Sequence, residues 1–148
     1  MIGYILKNHQ RYLETSGREG VKADFRWLSY PFKDCEDFSG LDLREVFFRG
    51  DIKKANFKNS NLSQSQFLYV NAAESTFENA DCSGVDFRNT ILYNVNFKNS
   101  NLCGANFKGA LLHGTVFEGA SLGDACFEGA QINTYTSFKN TDNPLQKQ

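Results

Sequence analysis

Few residues in this sequence are spaced for catalysis or for binding a metal. The two histidines are His9 and His113, and no Ser-His-Asp or Cys-His set can be built around either of them. The cysteines form no CxxC pair and have no metal-ligand spacing; they are Cys35, Cys82, Cys103 and Cys126. The glycines recur singly, which is unlike a phosphate-binding loop. The sequence therefore predicts no catalytic residue, no metal and no cofactor, and we do not expect an enzyme.

Charge and hydropathy also bound the possible functions. Lys and Arg number 16 and Asp and Glu number 17, which gives a formal net charge of −1. Proteins that bind nucleic acid usually carry a basic patch or stripe, and the sequence has none. Its apolar runs are shorter than a membrane span, and the N-terminal run is too short for a signal peptide. We expect no direct nucleic-acid binding and no membrane association.

A five-residue period dominates residues 55 to 132. From Phe57 onward every fifth residue is large and apolar, with Ala72 and Cys82 as the exceptions, through sixteen consecutive units. Two places before each of them lies a small or β-branched residue. A period of five fits neither a helix nor a plain strand, but it fits a short strand followed by a turn. Because residues two apart in a strand point to one face, both should face inward and the residue between them outward.

The turns predict a second period of twenty residues. The second residue after each inward centre is Gly or Asn in eleven of the sixteen units. Both tolerate the positive φ that a type II turn requires at its third residue. Four corners then close a square coil, with Phe columns on two opposite walls: Phe57, Phe77, Phe97 and Phe117, and Phe67, Phe87, Phe107 and Phe127. Gln64, Tyr69, Glu74 and Thr134 replace Gly or Asn, and we expect a different type of corner at these four positions.

Units such as Ala55-Asn56-Phe57-Lys58-Asn59 and Ala105-Asn106-Phe107-Lys108-Gly109 resemble the A(D/N)LXX motif of the pentapeptide-repeat family. The resemblance extends over roughly residues 23 to 138. It implies an all-β fold, a right-handed quadrilateral parallel β-helix, and parallel crossovers favour the same hand. Most members have no known role, and the best understood ones bind DNA gyrase and protect it from inhibitors as rod-shaped mimics of DNA. A fold does not by itself define a function.

Three segments are predicted along the chain. Residues 1–20 form a cap, in which an amphipathic helix over residues 2–15 covers the open first coil. Residues 21–138 form the β-helix, and residues 139–148 form a flexible tail. The repeat is irregular over residues 31–52, with a bulged corner or small loop between Tyr30 and Phe38 and a one-residue slip between Phe48 and Ile52. Trp27 and Phe32 lie close to these breaks.

The N-terminal segment also resembles the opening of some bacterial and phage pentapeptide-repeat proteins, which has the form LxxHxxYLxTxGxxG. In this chain the matching residues precede Ala23-Asp24-Phe25 and are Leu6, His9, Tyr12, Leu13, Thr15, Gly17 and Gly20. Two of the cysteines bear on the compartment. Cys82 lies at an inward position and Cys103 at an outward one, so we expect no disulfide between them. Reduced cysteines are typical of a cytoplasmic protein.

One wall departs from the polar character of the others. Outward positions are mostly Asn, Asp, Gln, Ser or Thr, but the fourth wall carries Ile91 and Leu111, with Tyr93 and His113 at its following positions. Leu68 and Tyr69 lie at a nearby corner. Together these six side chains predict an exposed apolar patch, which would suggest an interaction site. The alternative is that isolated apolar residues on a β surface have no function.

The C-terminal coil predicts contact between two copies of the chain. After Ile132 the period decays, and Tyr135 and Phe138 are the last apolar centres, out of phase by one. No long helix follows to cover this end. We therefore expect a homodimer through the C-terminal coil that uses Tyr135 and Phe138.

Two functions are compatible with these patterns. The first is a non-catalytic interaction or scaffold protein that presents flat faces to a protein partner whose identity the sequence does not give. The alternative is a DNA-mimicking modulator of DNA gyrase or topoisomerase, of the quinolone-resistance type. A net charge close to zero weakens the alternative, because a DNA mimic should be acidic. Self-assembly into a longer solenoid would need both ends uncapped.

Overall fold

The computed structural model describes residues 2–25 and 36–141. It contains one helix, α1, which spans Ile2–Glu14. After α1, the described chain forms isolated parallel bridges of single residues instead of longer strands. The predictions concerning Trp27, Tyr30, Phe32 and Cys35 lie outside the described residues, as does the tail beyond residue 141.

The bridges build a parallel β-helix with twenty residues in each regular coil. Asn56 pairs with Thr76, Thr76 with Asn96, and Asn96 with Val116, and the three other walls show the same step. Bridges recur every five residues, and a turn separates each from the next. Each regular coil therefore has four walls and four corners, as the two periods predict.

Buried phenylalanines fill the interior of the coil. The eight predicted residues are between 0% and 5% exposed; they are Phe57, Phe67, Phe77, Phe87, Phe97, Phe107, Phe117 and Phe127. Rings in one column stack, with 4.8 Å between the centroids of Phe57 and Phe77. Rings of the two columns meet edge to face, with 5.7 Å between Phe57 and Phe67. Both arrangements are favourable for aromatic rings, so the columns hold successive coils in register.

The corners are more uniform than the sequence predicts. Gln64, Tyr69 and Glu74 have φ values of 61°, 61° and 62°, close to the 57° of Asn59. The expectation of a different corner type at these three positions was therefore wrong. The coil can close only if each corner turns in the same way, and this requirement outweighs the preference of the residue. Thr134 does differ, because the turn shifts by one residue and the N–H of Thr136 bonds to the carbonyl of Asn133 at 3.0 Å.

Three coils depart from the regular length. Bridged residues are 19 apart from Asp37 to Asn56 and 20 apart from Asp51 to Asn71, which places the one-residue slip in the corner after Phe48. Asp24 pairs with Phe47, 23 residues on, so the first coil is three residues longer than a regular one. Near the C-terminus the step from Val116 to Ser137 is 21.

The extra residue near the C-terminus changes the roles of two predicted centres. Phe138 continues a column, since its ring stacks on that of Phe117 at 4.9 Å. Tyr135 is not an inward centre, because it lies at the shifted corner and is 80% exposed. The prediction failed for Tyr135 because the residue is inserted before this corner and not after it.

Candidate interaction surface

The apolar residues of the fourth wall form a continuous column. Asn71 pairs with Ile91, Ile91 with Leu111, and Leu111 with Gln131, and we call these four residues the Ile91–Leu111 wall. At the adjoining corner the rings of Tyr93 and His113 stack at 5.2 Å. The structure thus brings together four of the six residues predicted to form the patch.

The patch is less exposed than the sequence predicts. Ile91, Leu111, Tyr93 and His113 are all half-buried, not exposed. Stacked coils lie only about 4.8 Å apart, so each outward side chain is partly covered by those above and below it. The column therefore presents a shallow apolar strip instead of separate protruding side chains.

Leu68 and Tyr69 belong to a different feature. Tyr69 is 70% exposed and Leu68 is half-buried. Both line a groove of about 500 Å³, whose other lining residues are Phe47, Phe48, Arg49, Gly50 and Gln66. The groove lies toward the N-terminal side of the Ile91–Leu111 wall, at the corner where the coil is one residue short.

A local hydrogen bond explains why the outward positions favour Asn and Asp. At these positions the side-chain oxygen accepts the N–H two residues later, as Asn96 does from Lys98 at 3.0 Å and Asn106 from Lys108 at 3.0 Å. This is an Asx turn, which stabilises the start of the corner. Ile91 and Leu111 cannot make this bond. Their presence removes a stabilising interaction at two successive coils, so local stability does not explain it.

The charged side chains of the corners form ion pairs between successive coils. Lys58 pairs with Glu78 at 2.7 Å and Lys98 with Glu118 at 3.0 Å. These pairs are solvated and contribute little to stability individually. They leave the corner with alternating charges, which differs from the continuous acidic surface of a DNA mimic.

The described residues show no arrangement suited to catalysis. No group of three or more His, Cys, Asp or Glu side chains in residues 2–25 and 36–141 could hold a metal ion. Cys82, Cys103 and Cys126 are free thiols. Burial raises the pKa of the Cys82 thiol well above its usual range, and Asp81 adds to this effect. Cys82 is therefore a small apolar core residue and not a nucleophile.

The C-terminal coil ends in an open edge of the β-helix. In regular coils, the N–H of each inward centre and of the second turn residue bonds to the next coil. Five amides of this edge make no backbone hydrogen bond within the described chain; they are those of Leu122, Asp124, Phe127, Gly129 and Ile132. Ile132 is 43% exposed. Such an edge is a template for pairing with another chain.

Five-residue units, four-walled coils and an interior filled with phenylalanine define a class of repeat protein. A family model described as a pentapeptide repeat region matches residues 50–127, and the chain belongs to this family. The resemblance noted in the sequence is thereby confirmed. In the described residues, no helix has both the length and the apolar character needed to cross a membrane.

Solved structures support the same fold. The chain is similar to the pentapeptide repeat protein Rfr23 from the cyanobacterium Cyanothece 51142, at 20% identity and a TM-score of 0.55, over 90% of this chain and 99% of that one. It is also similar to a trypsin-treated variant of QnrB1, a plasmid-mediated fluoroquinolone resistance protein, at 14% identity and a TM-score of 0.63, over 73% of this chain and 56% of that one. Curated protein sequences give no significant match. At these identities the likeness establishes the fold alone.

Proposed function

We propose that this chain is a non-catalytic interaction module that binds a protein partner on the Ile91–Leu111 wall. The observation that carries the proposal is the replacement of the corner-stabilising Asn by an apolar residue at two successive coils, where the bridge joins Ile91 to Leu111. Binding would bury the remaining apolar surface of this strip. The interior supports a non-catalytic role, because stacked side chains fill it and leave no space for a substrate.

The proposal can be tested without disturbing the fold. The double variant Ile91→Asn, Leu111→Asn removes the apolar strip and introduces the residue that this chain uses at Asn71 and Asn96. A matched control changes Val116 and Cys126, which are outward apolar residues on two other walls, to Asn. Each protein is used to capture partners from a lysate of the source organism, with identification by mass spectrometry. We expect a partner that binds the wild type and the control but is lost from the wall variant. Equal capture by all three proteins would refute the proposal.

Modulation of DNA gyrase is the second candidate function. Its support is the similarity of fold to QnrB1, and the alternating corner charges weigh against it. The test is a supercoiling assay with purified gyrase and a fluoroquinolone, with and without this chain. Restored supercoiling would favour this candidate, whereas unchanged inhibition at a large excess of the chain would exclude it.

We further propose that two chains associate through the open C-terminal edge. Exposed Ile132 and the half-buried Phe138 supply apolar contact there, with Tyr135 at the rim. Light scattering after size-exclusion chromatography should give about twice the chain mass of 16.7 kDa. Ile132→Lys should shift the protein to a monomer, whereas Tyr4→Lys, at an exposed position of α1, should leave the dimer intact. A monomeric wild type at micromolar concentration would contradict the dimer.

A further inference from the structure

The short corner at residues 48–51 leaves a gap in the backbone ladder. At regular corners the second turn residue donates its N–H to the first turn residue of the next coil, as Lys54 does to Ala73 at 3.0 Å. Within the described chain, the carbonyl of Leu68 receives no such bond, and the amides of Arg49 and Gly50 donate none. Two donors and one acceptor therefore face the groove that Tyr69 lines.

Tyr69 lies beside this gap in a conformation that its residue type disfavours. Its φ is 61°, in the left-handed region where a bulky side chain is uncommon. Its side chain is 70% exposed, so packing within the chain does not compensate. Conformational strain of this kind often marks a functional site.

The charges at this corner favour an anionic ligand. Above the groove, Arg88 pairs with Asp86 at 2.7 Å and Lys108 pairs with Glu128 at 2.7 Å. Arg49 is exposed and forms no ion pair with a carboxylate of the described chain. A guanidinium group together with backbone amides is a strong binding arrangement for a carboxylate.

We propose that the groove binds an acidic side chain of an extended peptide whose apolar residues lie on the Ile91–Leu111 wall. This inference rests on the proposed function and names the chemistry of its partner. Ile91 bridges to Asn71, which bridges to Asp51 at the short corner, so it lies two coils above the groove. At about 4.8 Å per coil the separation along the axis is ~10 Å. An extended peptide at about 3.3 Å per residue covers this distance in roughly three residues, which sets the spacing between its acidic and apolar positions.

The test uses a random peptide library displayed on phage and selected against the full chain. We expect the enriched peptides to contain Asp or Glu about three residues from an apolar pair. The affinity of the best peptide should fall about tenfold when its acidic residue is replaced by the amide, and by a similar factor for the Arg49→Gln protein. Lys139→Gln is the control, because Lys139 is exposed in the coil at the opposite end of the described chain. A melting curve for each protein establishes that it is folded.

The outcomes separate this inference from the proposed function. Peptides that depend on Ile91 and Leu111 but show no acidic preference would overturn the inference and leave the proposed function intact. Peptides with an acidic preference that Arg49→Gln leaves unchanged would also overturn it, as would a library from which nothing is enriched. Peptides that bind equally to the Ile91→Asn, Leu111→Asn protein would contradict the proposed function itself.

Discussion

The left-handed corner residues show how the coil overrides the preference of a single side chain. Gln64 has a positive φ, although Gly and Asn are the residues that best tolerate it. Its N–H bonds to the carbonyl of Ser83 at 2.9 Å, and the N–H of Ser65 bonds to the carbonyl of Leu62 at 2.9 Å. These two bonds fix the corner whichever residue occupies it. Residues other than Gly and Asn therefore remain at these corners at a local cost in stability.

Replacing Tyr69 with Asn should stabilise the protein. Asn adopts the left-handed conformation more readily, and the gain should be about 1 kcal/mol. The measurement is the free energy of unfolding from denaturant titration. Tyr135→Asn is the matched control, because Tyr135 is similarly exposed at 80% but is not among the residues with a positive φ. An equal change in the two variants would show that the backbone conformation of Tyr69 is not the cause.

His9 is the buried ionisable residue that connects α1 to the coil. It is fully buried, and its Nδ1 accepts the N–H of Ala23 at 3.2 Å. Burial lowers the pKa of His9, opposed by Asp42, by a backbone hydrogen bond from Arg44 and by Glu45, and assisted by Lys22. Protonation would remove the lone pair that accepts this bond. The neutral ring is therefore the form that stabilises the docked helix.

The stability of the docked helix should fall in mild acid. Because the pKa of His9 is lower in the folded chain, the unfolded chain takes up a proton first as the pH decreases. The stabilisation is complete above about pH 6.5 and is lost as the pH falls toward the folded-state pKa. We expect the melting temperature to decrease from pH 7.5 to 5.5 in the wild type and to change less in His9→Gln. His113→Gln should retain the wild-type slope, and a flat slope in the wild type would contradict the prediction.

At the scale of the element, the N-terminal motif is explained by the way that α1 ends. The Thr15 hydroxyl accepts the N–H of Glu19 at 2.9 Å, and the N–H of Gly17 bonds to the carbonyl of Tyr12 at 2.8 Å. Ile2, Ile5 and Leu6 pack against the core. The chain then turns back beside the helix at Gly20. This arrangement covers the first coil, which an exposed end of a repeat protein requires.

Gly20→Ala should undock α1. A Cβ at this position would lie 2.3 Å from the backbone oxygen of Asn8 and 2.6 Å from the backbone nitrogen of Tyr12. Since both are backbone atoms and φ is +77°, we expect a loss of more than about 2 kcal/mol. Hydrogen exchange of the amides in Ile2–Glu14 is the measurement, and it should accelerate.

Gly3→Ala is the control for this change. No atom lies within 4 Å of a Cβ at Gly3, and Ala favours a helix by about 1 kcal/mol relative to Gly. Exchange in α1 should therefore slow or stay unchanged. Similar exchange rates in the two variants would show that the close approach at Gly20 is unimportant.

At the scale of the whole molecule, the sequence predicts what is repeated and misses what occurs once. The Phe columns follow directly from the five-residue period, because sixteen units repeat the same signal. The position of the residue inserted near Tyr135 did not follow, since a single insertion has no periodic signature. The groove was also missed, because it depends on a hydrogen bond that one short corner fails to make. The patch was predicted by position, but its exposure was overestimated because neighbouring coils cover it.

The affinity of the captured partner for the wild type and for the two double variants is the most direct test of this account. Burying two half-exposed apolar side chains contributes on the order of 1.5 kcal/mol, or about tenfold in Kd. We therefore predict a Kd about tenfold weaker for Ile91→Asn, Leu111→Asn and unchanged for the control at Val116 and Cys126. Equal affinities for all three proteins would show that the Ile91–Leu111 wall is not the binding surface.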